Sequence, residues 1–207
     1  MFKTRNEDIE GLSDWLWPES DDGLWDGPKN DWITGHHPAI LTHCEGFNLV
    51  VQAGGGCGMY PRLLSQFFKQ VYTFEPDHIN FHCLVHNVLN HPNVNKMQAA
   101  LGENHMMVGL NNASETNRGT HSISMASDCV IPQLCIDDLV LPYCDLIMLD
   151  VEGYEPHIIT GALNTIKSFK PLIFIENGSS VVDTMVDMGY NSVGQAAADT
   201  IYKYEKV

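Results

Sequence analysis

A glycine-rich turn between a predicted strand and a predicted helix constrains this fold more than any other stretch. Residues 49–51 are apolar and typical of a buried strand. Four glycines follow within five positions: Gly54, Gly55, Gly56 and Gly58. Apolar residues at helical spacing begin at Tyr60, directly after the turn. Because glycine has no Cβ, such a turn lets the backbone approach a ligand closely, and the sequence predicts a nucleotide-like cofactor here.

The spacing of these glycines distinguishes between cofactors. The dinucleotide fingerprint G-x-G-x-x-G would need a third glycine at position 59, where this chain has Met59. The spacing that fits is G-x-G-x-G, formed by Gly54, Gly56 and Gly58. It resembles the first motif of Rossmann-like methyltransferases that use S-adenosylmethionine (SAM). A glycine turn that binds no ligand is the alternative.

Acidic residues follow three further predicted strands. Glu75 comes after an apolar run and lies 19 residues beyond Gly56, a spacing typical of an acid that binds ribose hydroxyls. Asp150 ends the strand predicted at 145–150, and Glu176 follows the strand predicted at 171–175. Ligands of parallel α/β sheets gather at the carboxyl ends of the strands. We therefore expect these acids and the glycine turn to converge on one crevice.

The order of predicted elements indicates an α/β fold with a doubly wound, mostly parallel sheet. Strands and helices alternate from the glycine turn to about residue 189, and two terminal strands follow. Residues 94–101 are predicted as one strand, and residues 105–127 as a β-rich excursion with a polar loop. We expect one domain over residues 41–207, with residues 1–40 forming an irregular N-terminal arm packed on it.

The N-terminal arm contains all four tryptophans, Trp15, Trp17, Trp25 and Trp32. Indole rings bury a large area, so we expect them to dock the arm on the domain rather than to form a wall over a substrate. Three histidines follow at 36, 37 and 43, without the regular spacing of metal ligands. They are interpreted as ordinary polar residues ahead of the first strand of the sheet.

The net charge and the cysteine pattern limit which binding partners and which cellular compartment are expected. The net charge is −15, and no cluster of Lys and Arg offsets it, which argues against a nucleic acid partner and suits a cationic ligand such as SAM. No C-x-x-C pair occurs among six cysteines, so neither a zinc site nor a disulfide framework is predicted. No apolar run is long enough to span a membrane, and no signal-peptide core is present. We expect a cytoplasmic protein; its oligomeric state has no signature in the sequence.

Several motifs occur in a fixed order and together resemble the FkbM family of SAM-dependent methyltransferases. The most specific is Asp150-Val151-Glu152-Gly153-Tyr154-Glu155. Others are the glycine turn at 52–58, Phe74-Glu75-Pro76, Ala99-Ala100-Leu101, Ile136-Asp137-Asp138-Leu139 and Ile175-Glu176-Asn177. The resemblance extends over roughly residues 45–190 and implies the Rossmann-like class I methyltransferase fold.

The resemblance also implies roles for individual residues. Gly54, Gly56 and Gly58 would lie under the methionine part of SAM, Glu75 would hold the ribose, and Ala100 and Leu101 would flank the adenine. The full set of cofactor-binding residues predicted in this way is Gln52, Ala53, Gly54, Gly56, Gly58, Glu75, Pro76, Ala100, Leu101 and Asp150. The family methylates hydroxyl oxygens, often of sugars or polyketides, so a small-molecule or glycan-like acceptor is expected.

The chain departs from the family pattern at two positions. Gln52 stands where the family usually has an acid that helps to bind the amino group of the cofactor, and Met148 stands where it usually has lysine. Glutamine accepts a hydrogen bond but carries no charge. These departures support an alternative hypothesis, a SAM-binding or interaction protein without catalytic activity.

For catalysis, an alcohol acceptor needs a base within hydrogen-bond reach of its proton. Asp150 is the first candidate and Glu152 the second, although Glu152 could instead cap the helix that begins near Glu155. A divalent metal held by Asp150, Glu176 and Asn177 is a less favoured alternative. A nucleotide-dependent oxidoreductase is a third functional hypothesis, which the failed dinucleotide spacing argues against.

Overall fold

The computed structural model describes residues 1–19, 21, 23–111, 122–124, 130–176 and 178–205. Its N-terminal part is a hairpin with three helical segments, so the prediction of an irregular arm was wrong. Strand β1, Phe2–Arg5, pairs antiparallel with β2, Trp15–Pro18. Helix α1, Gly23–Asp31, a π-helical segment, Trp32–His36, and helix α2, His37–His43, follow. The Gly-Pro pair at 27–28, a turn signal in the sequence, lies inside α1.

Tertiary packing explains why a helix forms here. The Trp25 ring lies edge-on to those of Trp15 and Trp17, with centroids 6.0 and 5.0 Å away. Trp32 packs on Tyr60, at the start of the helix after the glycine turn. All four tryptophans are at most 1% exposed and belong to one hydrophobic cluster with that helix. Their burial supports the docking role, and Trp17 also lines a cleft described below.

Eleven further strands lie within the described residues. In chain order they are β3 Leu49–Ala53, β4 Gln70–Phe74, β5 Val94–Met97, β6 Ala100–Leu101, β7 Met106–Asn111, β8 Ser122–Ser124, β9 Val130–Leu134, β10 Leu146–Leu149, β11 Leu172–Glu176, β12 Tyr190–Ala196 and β13 Asp199–Tyr204. The helices between them are α3 Met59–Leu64, α4 His78–Asn87, α5 Glu155–Thr160, α6 Leu163–Phe169 and α7 Val182–Asp187, with 3₁₀ turns at Ile136–Leu139 and Gly178–Val181.

Seven strands form the central sheet, in the order β12-β13-β11-β10-β3-β4-β5. The five strands from β11 to β5 are parallel, and β13 and β12 are added antiparallel at one edge. The chain winds in one direction from β3 to β5 and in the other from β10 to β11. The strand order therefore switches between β3 and β10, where ligands of such sheets bind. A smaller sheet has the order β6-β9-β7-β8.

Both faces of the central sheet are covered by buried apolar side chains. One face packs against the N-terminal segment, α3 and α4, with Val50, Met148 and Phe174 at its centre. The other face packs against α5, α6 and α7, with Val51, Ile147 and Ile173 at its centre. Alternate residues of each strand thus enter opposite cores, as in a sheet buried on both sides.

Two predicted elements are divided in the structure. The strand predicted at 94–101 ends at Met97, and Ala100 begins a strand of the smaller sheet. The helix predicted from Pro156 is interrupted at Gly161, where a Cβ would lie 2.0 Å from the Gly102 carbonyl oxygen. The spacing of apolar residues along the predicted helix does not reveal this interruption. The interruption lies where Gly102, which is remote in sequence, approaches the helix. Among the described residues, no helix has both the length and the apolar character that a membrane crossing requires.

Candidate functional site

The glycine turn lies at the carboxyl end of β3, pressed against its neighbours. Gly54 has φ +80°, and a Cβ there would lie 1.9 Å from the Asp150 carbonyl oxygen. Gly58 has φ +91°, and a Cβ there would lie 2.9 Å from Cα of Leu84 on α4. Both positions therefore require glycine, Gly54 for the approach of two strand ends and Gly58 for the packing of two helices.

Gln52 supports this turn from below. Its side chain is fully buried, with Oε1 accepting a hydrogen bond from Thr73 Oγ1 at 2.5 Å. Its Nε2 donates to the carbonyl oxygen of Gly54 at 2.7 Å. The structure thus places Gln52 beneath the turn, and its role as a cofactor ligand stays a prediction.

Glu75 joins the glycine turn to the next helix. Its Oε2 accepts a hydrogen bond from the Gly56 N–H at 2.6 Å, and its Oε1 accepts one from the Asp77 N–H at 2.8 Å. Asp77 in turn caps α4 by accepting hydrogen bonds from the backbone N–H groups of Ile79 and Asn80. The carboxylate of Glu75 is therefore held at the strand end in one orientation.

A cleft of about 640 Å³, including space open to solvent, lies above these strand ends. Eight of the ten predicted cofactor residues line it: Ala53, Gly54, Gly56, Glu75, Pro76, Ala100, Leu101 and Asp150. Gln52 and Gly58 are outside this lining. The structure brings the eight residues together, and their binding role remains a prediction.

Further residues of this cleft were not identified from the sequence. They are Phe74, Ala99, Leu110, Ile123, Val151 and Tyr154. Phe74, Ala99, Val151 and Tyr154 lie within the family motifs and could have been included on that ground. Leu110 and Ile123 come from β7 and β8 of the smaller sheet, and no sequence signal indicated that this sheet would close the apolar end of the cleft.

Asp150 and Glu176 lie side by side at the ends of β10 and β11, both partly buried. Burial raises the pKa of Asp150 well above its ordinary value, and the negative charge of Glu176 raises it further. Burial and the charge of Glu152 raise the pKa of Glu176, while a hydrogen bond from Asp150 opposes that rise. The two carboxyl groups therefore titrate as a coupled pair, with the stronger upward shift of the pKa at Asp150.

Glu152 is exposed and has a left-handed backbone, φ +55°. The turn at 151–153 is stabilised by Glu155, whose Oε1 lies 3.3 Å from the backbone N–H groups of both Val151 and Gly153. These hydrogen bonds hold the turn that precedes α5, and the N-cap residue of that helix is Tyr154. Asn177, the third member of the predicted oxygen ligands, lies outside the described residues.

A buried polar group lies behind the acid pair. His36 Nε2 is 3.0 Å from Asp199 Oδ2, and the two side chains are 4% and 6% exposed. The Tyr60 hydroxyl lies 3.4 Å from His36 Nδ1. The negative charge of Asp199 contributes to the raised pKa of Asp150, which places this group next to the candidate base. His36 was interpreted as an ordinary polar residue, and that interpretation was wrong because β13, its partner, is remote in sequence.

A second, smaller cleft of about 280 Å³ lies between the glycine turn and the N-terminal segment. Its walls include Trp17, Pro28, Met59 and Tyr60, and it shares Gly54, Gly56 and Asp150 with the larger cleft. Trp17 Nε1 is buried and has no hydrogen-bond partner among the described residues. Asp150 thus borders two adjoining clefts, and Trp17 lines the smaller one.

The sheet order and the position of the clefts define the Rossmann-like class I methyltransferase fold, and solved structures agree. An FkbM methyltransferase from Methylobacillus flagellatus matches 76% of this chain at 20% identity with a TM-score of 0.55. An rRNA methylase from Streptococcus thermophilus matches 83% at 12% identity with a TM-score of 0.50 and is itself 95% covered. A precorrin 8w decarboxylase from Methanobacterium thermoautotrophicum matches 82% at 15% identity, also with a TM-score of 0.50, and is 89% covered.

The family follows from a second comparison. The model of the FkbM methyltransferase domain matches residues 62–190, more than half of the chain, so the chain belongs to the FkbM methyltransferase family. The glycine turn precedes the matched range. The chain spans 43% of the length of the Methylobacillus protein. A comparison with curated proteins gives no match. Family membership supports a methyltransferase and gives no support to the oxidoreductase hypothesis.

Proposed function

We propose that this chain transfers a methyl group from SAM to a hydroxyl oxygen of a small-molecule or glycan-like acceptor, with Asp150 as the general base. The observation that carries the proposal is the position of Asp150 between two adjoining clefts. The larger cleft has the walls that a SAM molecule needs, and the smaller one adjoins it on the side of the N-terminal segment, where an acceptor would approach. A general base must lie within hydrogen-bond reach of the acceptor hydroxyl, and a residue between the cofactor cleft and the acceptor cleft meets this requirement.

The residues of the larger cleft fit SAM. Apolar side chains, including Ala100, Leu101 and Leu110, would enclose the adenine, and the fixed carboxylate of Glu75 would accept hydrogen bonds from the ribose hydroxyls. The backbone of the glycine turn would lie against the methionine part. When bound, SAM supplies a methyl group activated by its sulfonium charge. The surrounding carboxylates suit that positive charge.

Asp150 would handle the proton of the acceptor. In its ionised form its carboxylate accepts the proton of an acceptor hydroxyl, and the oxygen becomes more nucleophilic. A raised pKa makes an aspartate a stronger base than it is in water, at the expense of the ionised fraction. The negative charge of Glu176 contributes to this raised pKa of Asp150. Glu152 is exposed at the rim and remains the second candidate.

The smaller cleft supports an uncharged acceptor. The residues that line the two clefts include no Lys or Arg among those described, so a phosphate or carboxylate on the acceptor would meet no cation there. Trp17 and Tyr60 give the smaller cleft aromatic walls, which suit an uncharged acceptor. These features favour a hydroxylated neutral molecule over a nucleic acid.

Calorimetric titration tests the cofactor. We expect S-adenosylhomocysteine and SAM to bind with micromolar affinity and NADH not to bind, with and without Mg²⁺. Failure of all three ligands to bind would overturn the SAM assignment, and a requirement for Mg²⁺ would favour the metal alternative.

The Asp150→Asn variant tests the role of the base, once a screen of hydroxylated compounds has identified an acceptor. Loss of a general base lowers transfer by about 10²–10⁴-fold, while binding of S-adenosylhomocysteine should be retained. Unchanged turnover in this variant would assign the proton to another group, with Glu152→Gln as the next variant to measure. Cofactor binding without transfer to any acceptor would favour the non-catalytic hypothesis.

A further inference from the structure

Three side chains of metal-ligand type lie together outside both clefts, where the smaller sheet meets the central domain. Among the described residues, His105, Cys135 and Asp138 bring a nitrogen, a sulfur and an oxygen atom within 4.8 Å of one another. We propose that these three side chains form a binding site for Zn²⁺. This proposal is independent of the methyl-transfer proposal.

The backbone holds the three positions from two segments that are tied together. Gln133 Nε2 donates to the Asn104 carbonyl oxygen at 2.8 Å, next to His105. The Gly102 N–H donates to the Leu134 carbonyl oxygen at 2.9 Å, next to Cys135. The loop that carries His105 is therefore fastened along the strand that leads into Cys135. Such support keeps ligands near their binding geometry before an ion arrives.

The 3₁₀ turn that carries Asp138 is also anchored. Its neighbour Asp137 accepts hydrogen bonds from the backbone N–H groups of Asn164 and Thr165, at 3.0 and 2.7 Å, and so stabilises the start of α6. Asp138 points instead toward His105, with its Oδ2 2.5 Å from Nε2 of the imidazole. The two adjacent acids therefore have different roles, one in the fold and one in the cluster.

The chemistry of the donor set selects the ion. Zn²⁺ is bound in proteins by imidazole nitrogen, thiolate sulfur and carboxylate oxygen, and is usually four-coordinate. Mg²⁺ and Ca²⁺ take oxygen ligands, so they would leave the imidazole and the thiol unused. Three protein ligands leave one tetrahedral position for water. The mixed set of His105, Cys135 and Asp138 therefore matches Zn²⁺ better than either alkaline-earth ion.

The site can reach tetrahedral geometry with small side-chain movements. Ligand atoms around a tetrahedral Zn²⁺ lie about 3.5 Å apart, so the imidazole of His105 and the carboxylate of Asp138 must separate by about 1 Å. Both side chains are more than half exposed, at 57% and 58%, and have room to turn. Cys135 is buried, at 7% exposed, and would be the fixed ligand.

The local charge favours a dication. The carboxylates of Asp138, Asp137 and Glu103 lie around Cys135. The same carboxylates attract a divalent ion, and coordination to such an ion deprotonates a thiol. The sequence did not predict this site because 33 residues separate His105 from Asp138, without the short spacing of zinc-binding motifs.

Titration of the metal-free full chain with Co²⁺, a spectroscopic substitute for Zn²⁺, tests the proposal. We expect one equivalent to produce a sulfur-to-cobalt charge-transfer band and the visible absorption of four-coordinate cobalt, both removed by Zn²⁺. Cys135→Ser should lose the charge-transfer band, and His105→Ala should weaken Zn²⁺ binding by more than about tenfold.

Matched variants separate this site from adventitious binding. His157 lies beside Glu103 but outside the cluster, and Cys44 is a second buried thiol, so His157→Ala and Cys44→Ala should bind Zn²⁺ as the wild type does. No charge-transfer band in the wild type, or wild-type affinity in His105→Ala, would overturn the proposal. If Cys135→Ser does not fold, Asp138→Asn replaces it, since Asp138 is exposed.

Discussion

Gln52 and Met148 lie directly opposite each other on β3 and β10, and their side chains share one face of the sheet. Both are fully buried. The resemblance described in the sequence analysis implies an acid and a lysine at these two positions. The register of the sheet makes the two positions neighbours, so a charged pair here would be a pair in direct contact. Either charge alone would be buried beside a neutral partner.

This adjacency predicts strong coupling between the two positions. Met148→Lys alone should lower the free energy of unfolding by about 3–5 kcal/mol, because the new charge is buried without a partner. Combining it with Gln52→Glu should recover at least about 1 kcal/mol relative to the sum of the single changes. A double-mutant cycle in urea measures this coupling. Strictly additive effects would show that the two side chains do not interact.

Trp17 and Trp15 provide a matched comparison of an unsatisfied and a satisfied indole. Trp17 Nε1 has no partner among the described residues, whereas Trp15 Nε1 donates to the Leu12 carbonyl oxygen at 3.2 Å. Replacement by Phe leaves a similar space at both sites. Trp17→Phe should therefore destabilise the protein by about 1–2 kcal/mol less than Trp15→Phe in urea unfolding.

The same substitution tests the acceptor cleft. If Trp17 forms part of the acceptor site, Trp17→Phe should raise KM for the acceptor while the affinity for S-adenosylhomocysteine is unchanged. A lower affinity for S-adenosylhomocysteine would instead place the cofactor beneath Trp17.

The influence of Glu176 on the pKa of Asp150 predicts a pH dependence. Glu176→Gln removes a neighbouring negative charge, so the pKa of Asp150 should fall toward its ordinary value. A titration of side-chain carboxyl ¹³C shifts measures this directly. The acidic limb of the transfer rate should move to lower pH in the variant. An unchanged midpoint for Asp150 would show that burial alone sets its pKa.

The free energy of unfolding should also change with pH as Asp150 titrates. Because the folded-state pKa of Asp150 lies above its unfolded value, the stability that Asp150 contributes is complete below the unfolded pKa. It is lost as pH rises through the folded pKa. The ligand-free protein should therefore lose stability between the ordinary aspartate range and the raised pKa of Asp150, and Asp150→Asn should reduce this loss in unfolding measured as a function of pH.

The buried His36–Asp199 pair joins the N-terminal segment to the last strand of the sheet. His36→Leu leaves the Asp199 carboxylate buried without this partner and should cost about 3–5 kcal/mol of stability. Glu45 pairs with Lys203 at 2.8 Å but is 82% exposed, so Glu45→Ala should cost less than about 1 kcal/mol. Equal losses of unfolding free energy for His36→Leu and Glu45→Ala, measured in urea, would show that burial of the His36–Asp199 pair adds no stability.

The sequence alone determined the parts of this protein that depend on local pattern. The spacing of the glycines, the acids that follow three of the strands and the alternation of strands with helices predicted the parallel sheet and eight residues of its cleft. These signals are reliable because strand ends of a parallel sheet meet at one edge whatever the rest of the chain does. The four tryptophans likewise indicated burial, since indole rings are rarely left exposed.

Only the tertiary structure decided which remote groups meet. The pairing of Gln52 with Met148 depends on strand register, and that of His36 with Asp199 depends on where the last strand joins the sheet. The helix through Gly27 and Pro28 forms against local propensity because Trp25 packs on its neighbours. Each of these contacts joins residues that local patterns treat independently, and the free energy that fixes them comes from burial of the assembled core.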